Sequence, residues 1–176
     1  QDEIIGENCK ELRPQSPYAN VKLLEEKYLK KTKNISYISL RFGTIVGCSM
    51  GMRFHTAINK FCWQAVMGQP LTIWSTAKNQ KRPYLALSDA INAITHFMKI
   101  KLYDGEVYNV LTSNLTVNSI VEIIGEFIPN IDIDYVDSEI MNQLSYEVSN
   151  QKILKTGFVV KGNIRENIIE TINLLR

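Results

Sequence analysis

The sequence predicts an α/β fold, and three observations carry that prediction. Apolar residues at helical spacing alternate along the chain with short runs of β-forming residues. Helix-start signals recur ahead of the helical runs, at Ser16-Pro17, Ser88, Thr116 and Asn163. The 176 residues are 45% hydrophobic and 22% charged, enough for one globular core and too apolar for disorder.

Residues 1–15 read as polar and irregular, ending in Arg13-Pro14. The first helix is expected from Pro17 to Thr32, because Ser16 suits the N-cap, Pro17 the first position, and Val21, Leu24, Tyr28 and Leu29 share a face. Ile35 to Phe42 reads as a buried strand ending at Gly43, and Gly43 to Gly51 as a loop. A second helix from Phe54 to Met67 is closed by Gly68.

Leu71 to Trp74 is a short strand, Ser75 to Lys81 a polar loop, and Arg82 to Leu87 an extended segment. Ser88 is the expected cap of a helix to about Leu102, with Ala90, Ile91, Ile94 and Phe97-Met98 inward. Glu106 to Val110 is a strand, Thr116 caps a helix to about Ile128, and Ile131 to Val136 alternates as a strand after Pro129-Asn130. A short helix near Asn150–Lys155 precedes Asn163, which with Glu166 three residues on opens the last helix.

Composition narrows the function. Net charge is only +2, and the one lysine cluster, Lys27, Lys30, Lys31 and Lys33, sits at the end of the first helix, where cations suit the dipole. Nucleic-acid binding would need a larger basic patch interleaved with aromatics. Cys9, Cys48 and Cys62 fit no zinc or redox spacing, so they read as buried or idle thiols of a reducing compartment, and His55 and His96 are too few and too far apart in sequence for a metal centre. No apolar run approaches a membrane span and the N-terminus does not read as a signal peptide, so the expected location is cytoplasmic.

One pair carries chemistry. Tyr18 and Lys22 stand one turn apart at the start of the first helix. An ammonium near a phenol favours the phenolate, which lets a tyrosine take the proton of an alcohol. With 8 tyrosines in the chain such a pair also arises by chance, and alone it marks only a helical surface.

The surrounding segments add context. Arg13-Pro14-Gln15-Ser16-Pro17-Tyr18-Ala19-x-x-Lys22, with Glu25 or Glu26 behind it, is followed by Leu40-Arg41-Phe42-x-x-x-x-Gly47. Then come Pro70-Leu71-Thr72-Ile73-Trp74, Arg82-Pro83-Tyr84 leading to Asp89-Ala90, and Gly105-Glu106-Val107-Tyr108-Asn109-Val110. In this order and spacing, over nearly the whole chain, they resemble the C-terminal portion of the extended short-chain dehydrogenases/reductases, in the NAD-dependent nucleotide-sugar epimerase/dehydratase branch.

The resemblance implies a fold: the C-terminal part of a Rossmann-like doubly wound sheet in residues 1–47, carrying the catalytic helix and the next strand. Residues 48–176 would form mainly a small α/β nucleotide-sugar-binding domain, with some segments returning to the core. It implies that Tyr18 is the acid/base and that Lys22 tunes it and bonds the nicotinamide ribose of NAD or NADP. A sugar hydroxyl of a nucleotide-diphosphate sugar would be transiently oxidised, leading to epimerisation, dehydration or reduction.

Arg82 matches the arginine used against the diphosphate, since a guanidinium fork grips phosphate oxygens in pairs; it also reads as a structural arginine tied to a backbone carbonyl. Thr72 and Trp74 match the strand lining the nucleobase site, and Trp74 reads equally as plain core. Arg53 and His55 follow the Gly-rich loop, from which side chains reach a ligand, while His55 reads also as a surface residue at a helix start. Thr44 departs from the asparagine common in the family, and a hydroxyl lacks the amide fork.

The family's Gly-x-x-Gly-x-x-Gly turn, which lets backbone approach the cofactor pyrophosphate, has no counterpart in this spacing of glycines. The expectation is therefore a fragment of a longer enzyme, inactive alone, which pairs with the missing N-terminal half or with a second copy. A homodimer through the helix of Tyr18 and Lys22 is the family habit. Two other readings stand beside it: a pseudo-enzyme or binding fragment for a sugar nucleotide or protein partner, and a reductase of a non-nucleotide alcohol.

Overall fold

The computed structural model describes residues 4–9, 12, 14, 16–137 and 145–176. Part of the stretch read as irregular, including Arg13 and Gln15 of the first motif, lies outside them. The chain begins with β1 (Ile4–Ile5), then α1 (Pro17–Lys31), β2 (Ser39–Phe42), β3 (Thr44–Val46) and α2 (Ala57–Val66). There follow β4 (Leu71–Trp74), β5 (Lys81–Ala86), α3 (Leu87–Ile100), β6 (Val107–Val110) and β7 (Ser113–Thr116). The chain ends with α4 (Val117–Gly125), β8 (Ile133–Val136), β9 (Glu147–Val148), α5 (Gln151–Leu154) and α6 (Ile164–Leu175).

The α/β class holds, and the pairing is mostly parallel. β2 runs parallel to β6 with Ser39 opposite Val107, β3 parallel to β5 with Thr44 opposite Tyr84, β4 parallel to β8, and β1 parallel to β9. Among the described residues only β7 is antiparallel, against β5.

The central strand β5 explains how the core divides. Alternate side chains point to opposite faces of a strand, so Tyr84 and Ala86 enter one cluster with Val46, α2, α4 and α6, while Leu85 enters another with Phe97, Tyr108 and Val110. Burying each large side chain contributes roughly 1.5–3 kcal/mol.

Several expectations are corrected. The segment read as a loop from Gly43 contains β3: at Gly43 the strand leaves β6, with its N–H still bonded to Val110 O at 2.9 Å, and takes up β5. The loop begins at Gly47 instead, whose φ of +144° is open to glycine and whose Cα lies against Leu87, leaving no room for a Cβ. The strand expected from Ile35 pairs only from Ser39, because its partner β6 starts at Val107 and the preceding Gly105 already turns against Tyr37. β7 was not foreseen, nor were the two-residue strands β1 and β9.

Helix ends differ for local reasons. α2 starts at Ala57 rather than Phe54, with Thr56 as N-cap. The cap of α3 is Ala86, not Ser88, because β5 runs directly into the helix; Ala86 N donates instead to Thr112 Oγ1 at 2.8 Å. α4 ends at Gly125, short of Ile128. Thr116 and Asn163 cap α4 and α6 as expected, each accepting from first-turn N–H groups.

The inward faces also differ. Asp89, Ala90, Ala93 and Phe97 are buried on α3, whereas Ile91, Ile94 and Met98 point outward, 46–61% exposed. α1 buries no residue at all, and Val21, Leu24 and Tyr28 are at least half exposed. Ala90, Ala93 and Phe97 pack with Leu85, Tyr108 and Val110, and the larger aliphatics take the other arc. Among the described residues no helix is long and apolar enough to cross a membrane.

Burial makes the fold sensitive to alkali. Cys62 is fully buried, and burial first, with Cys48 nearby second, pushes its thiol up to about 12; burial likewise pushes the Tyr84 phenol up to about 12, with Arg82 opposing. In the unfolded chain both groups lose their protons nearer 9 and 10. The native state then holds more protons than the unfolded one, so stability falls as pH rises between about 9 and 12, by up to about 1.4 kcal/mol per pH unit for each group. Urea midpoints are expected to drop from pH 9 to pH 11; a constant midpoint would contradict the burial of these groups.

Candidate active site

The start of α1 is built by its cap. Ser16 Oγ accepts from Ala19 N at 3.1 Å and Pro17 occupies the first turn, so the helix begins in time to place Tyr18 and Lys22 on one exposed face. Lys22 Nζ lies 5.6 Å from the centroid of the Tyr18 ring, and Tyr18 is 73% exposed.

The two glutamates behind the pair divide their work. Lys22 Nζ donates to Glu25 Oε2 at 2.8 Å, and that hydrogen bond, then the carboxylate charge, holds the ammonium above its ordinary pKa. Arg41 of β2 grips Glu26 with both arms, Nε to Oε1 at 2.7 Å and Nη2 to Oε2 at 2.6 Å, in a partly buried pair. Glu26, first through its hydrogen bond, raises the Arg41 pKa. This fork fastens α1, which has no buried face of its own, to the sheet.

Arg82 is half-buried on β5. Its Nη1 donates to Lys81 O at 3.0 Å, its Nη2 to Gln80 Oε1 at 3.0 Å, and the guanidinium stacks 4.9 Å over the Tyr146 ring. Burial pulls its pKa below the ordinary value, against the Tyr146 and Tyr84 phenols. The carbonyl partner foreseen by the structural reading of Arg82 is thus present. Thr44 is exposed at the head of β3, opposite Tyr84 and two positions from Arg82 in register.

Thr72 and Trp74 stand together on β4. Thr72 Oγ1 accepts from the buried Gln64 at 3.0 Å, which pins β4 to α2, and its own N–H returns to Gln64 Oε1 at 3.4 Å. Trp74 is 43% exposed, so it is not plain core, and an exposed indole ring can serve as a stacking surface. Arg53 and His55 are both exposed in the segment before α2, and Phe54, His55, Lys60 and Trp63 line a shallow depression there. The candidates therefore group as Tyr18 with Lys22, Thr44 with Arg82, Thr72 with Trp74, and Arg53 with His55.

Sequence reasoning assigned no role to Asp89, Asn59 or Gln64, all buried polar residues. Asp89 Oδ2 accepts from Thr112 Oγ1 at 2.7 Å and from Gly162 N at 3.0 Å, while Oδ1 accepts from Lys161 N and Gly162 N, both at 3.0 Å. This clamp ties the first turn of α3 to the bend between β6 and β7 and to the entry of α6. A carboxylate in the first turn of a helix that follows a strand directly was the available signal.

Residues 1–110 match the family model described as the NAD dependent epimerase/dehydratase family. Among solved structures, the chain is similar to UDP-glucuronic acid 4-epimerase from Bacillus cereus in complex with UDP-glucuronic acid and NAD, at TM-score 0.88 and 18% identity. That match covers 99% of this chain and 57% of the other. UDP-glucose 4-epimerase from Thermus thermophilus with NAD is similar at TM-score 0.82 and 21% identity, covering 99% and 58%. dTDP-glucose 4,6-dehydratase from Bacillus anthracis str. Ames with NAD is similar at TM-score 0.82 and 22% identity, covering 98% and 56%. These likenesses show the fold, a Rossmann-like α/β arrangement, and this chain spans less than three-fifths of the length of those three proteins.

Proposed function

The chain belongs to the NAD-dependent epimerase/dehydratase family, and from that premise we propose that it supplies the acid–base pair and ligand-binding side chains of an enzyme acting on a nucleotide-diphosphate sugar. The observation that carries the reading is the Tyr18–Lys22 pair, one turn apart on an exposed helix face that Arg41 and Glu26 fasten to the sheet.

In this reading Tyr18 acts as the phenolate, whose oxygen takes the proton of a sugar hydroxyl and becomes the neutral phenol. A bound nicotinamide cofactor, NAD or NADP, would supply the hydride acceptor for oxidation of the carbon bearing that hydroxyl. The side chains fit such a group: an ammonium carries three donors, and Lys22 commits one of them to Glu25, which keeps the head charged and leaves donors for a ribose hydroxyl. Arg82 and Arg53 bind the diphosphate end, Thr72 and Trp74 the base, and Thr44 and His55 the sugar. Residues 1–47 then form the end of the cofactor core and residues 48–176 mainly the sugar-nucleotide domain. The exposed Leu24 and Tyr28 on α1 support self-association as a homodimer.

The bond from Arg82 to Lys81 O favours a second reading, a reductase of a non-nucleotide alcohol in which Arg82 is structural. Calorimetry separates the two. In the protein that carries this chain, UDP-glucose or UDP-glucuronic acid is expected to bind far more tightly than the free sugars. Arg82→Ala is expected to raise the dissociation constant about tenfold or more, since losing a charged hydrogen bond to phosphate costs about 1.5–3 kcal/mol. Equal affinities in variant and wild type would return Arg82 to a structural role.

A further inference from the structure

Two side chains converge on one backbone carbonyl in the segment between β3 and α2. Thr56 Oγ1 donates to Arg53 O at 3.2 Å, and Asn59 Nδ2 donates to the same atom at 2.9 Å. Each forgoes something to do so. Thr56 is the N-cap of α2 yet makes no side-chain capping bond, the ordinary use of a hydroxyl at that position. Asn59 is 4% exposed, and its Oδ1 is buried without a hydrogen-bond partner among the described residues. An unpaired buried acceptor destabilises a fold, so packing alone would favour an apolar side chain at this place.

What the two bonds achieve is local: they fix the backbone from which Arg53, exposed, projects. An arginine on an unfixed loop loses conformational freedom when it meets a ligand, and that loss weakens binding. We infer that Asn59, assisted by Thr56, is a positioning residue for Arg53, holding its backbone so that the guanidinium meets the anionic part of a sugar nucleotide. The inference rests on the proposed function, in which Arg53 touches that ligand.

The test is a set of UDP-glucose dissociation constants, by calorimetry, together with melting curves, on the protein that carries this chain. Asn59→Leu keeps the volume and removes both the donor and the orphaned acceptor. It is expected to weaken UDP-glucose binding about tenfold with an unchanged or raised melting temperature, a combination a merely structural asparagine would not give. Arg53→Ala is expected to weaken binding at least as much, and the double variant no more than Arg53→Ala alone, because the two act through one contact. Thr56→Val should show a smaller loss in the same direction, and it decides the matter if Asn59→Leu does not fold. Weak binding in Arg53→Ala with wild-type binding in Asn59→Leu, or in Thr56→Val where that variant decides, would overturn the inference and leave the proposed site standing. Additive losses in the double variant would overturn it as well. Wild-type binding in Arg53→Ala would instead remove Arg53 from the site, and the inference with it.

Discussion

Replacing Asp89 with alanine is expected to lower the unfolding free energy by about 3–5 kcal/mol. The carboxyl is fully buried and serves only as acceptor, from the Thr112 hydroxyl and the N–H groups of Lys161 and Gly162. Truncation leaves those donors without a partner inside the protein, and each unsatisfied buried donor costs about 1–3 kcal/mol. Thr112 also accepts from Ala86 N, so the damage reaches the junction of β5 and α3. Asp89→Asn would fare little better, since the new amide nitrogen must face at least one N–H. Gly162→Ala should approach the same loss from the other side, because a Cβ there would lie 2.6 Å from Asp89 Oδ2 and press on Ala86 as well. Urea unfolding measures both, and a loss under about 1 kcal/mol in Asp89→Ala would mean that the clamp carries little of the fold's stability.

That clamp marks where the sequence stops being legible. Capping residues act within one turn of themselves, so Ser16, Thr116 and Asn163 announce their helices without help from the rest of the chain. Asp89 acts across the fold on Lys161 and Gly162, and its first-turn position marks a role without saying which distant groups it meets. The same holds for strands. Leu71 to Trp74 is mostly apolar and β-forming and reads as a strand on its own terms, whereas Ser113 to Thr116 is polar but for Leu115 and is held as β7 by β5 and the Asn114–Val148 hydrogen bonds. Glycines at 43, 47 and 51 suggest a loop, but the first only lets a strand change partners.

Helix faces were half legible. Periodicity shows that α3 has an apolar arc, but Ala90, Ala93 and Phe97 form one arc and Ile91, Ile94 and Met98 another, and hydrophobicity alone ranks the wrong one inward. At the candidate site, the spacing of Tyr18 and Lys22 fixed their geometry because a helix needs only an offset of four. Which of Glu25 and Glu26 serves the lysine and which anchors the helix depends on the position of Arg41, fifteen residues away in sequence.

If the proposed function holds, Tyr18→Phe is expected to lower kcat by about 10²–10⁴-fold in the protein that carries this chain, the range a positioned general acid or base contributes. The same change should leave the dissociation constant of a UDP-sugar and the melting temperature almost untouched. Tyr18 is 73% exposed, makes no contribution to the buried core, and loses one oxygen while keeping the ring that Lys22 faces at 5.6 Å. A loss confined to kcat identifies a group used in the transition state rather than in binding. Lys22 and its bond to Glu25 remain in the variant, so the phenolic oxygen alone is tested. Turnover within tenfold of wild type would dismiss Tyr18 as the acid/base, and a parallel rise in the UDP-sugar dissociation constant would make it a binding residue instead.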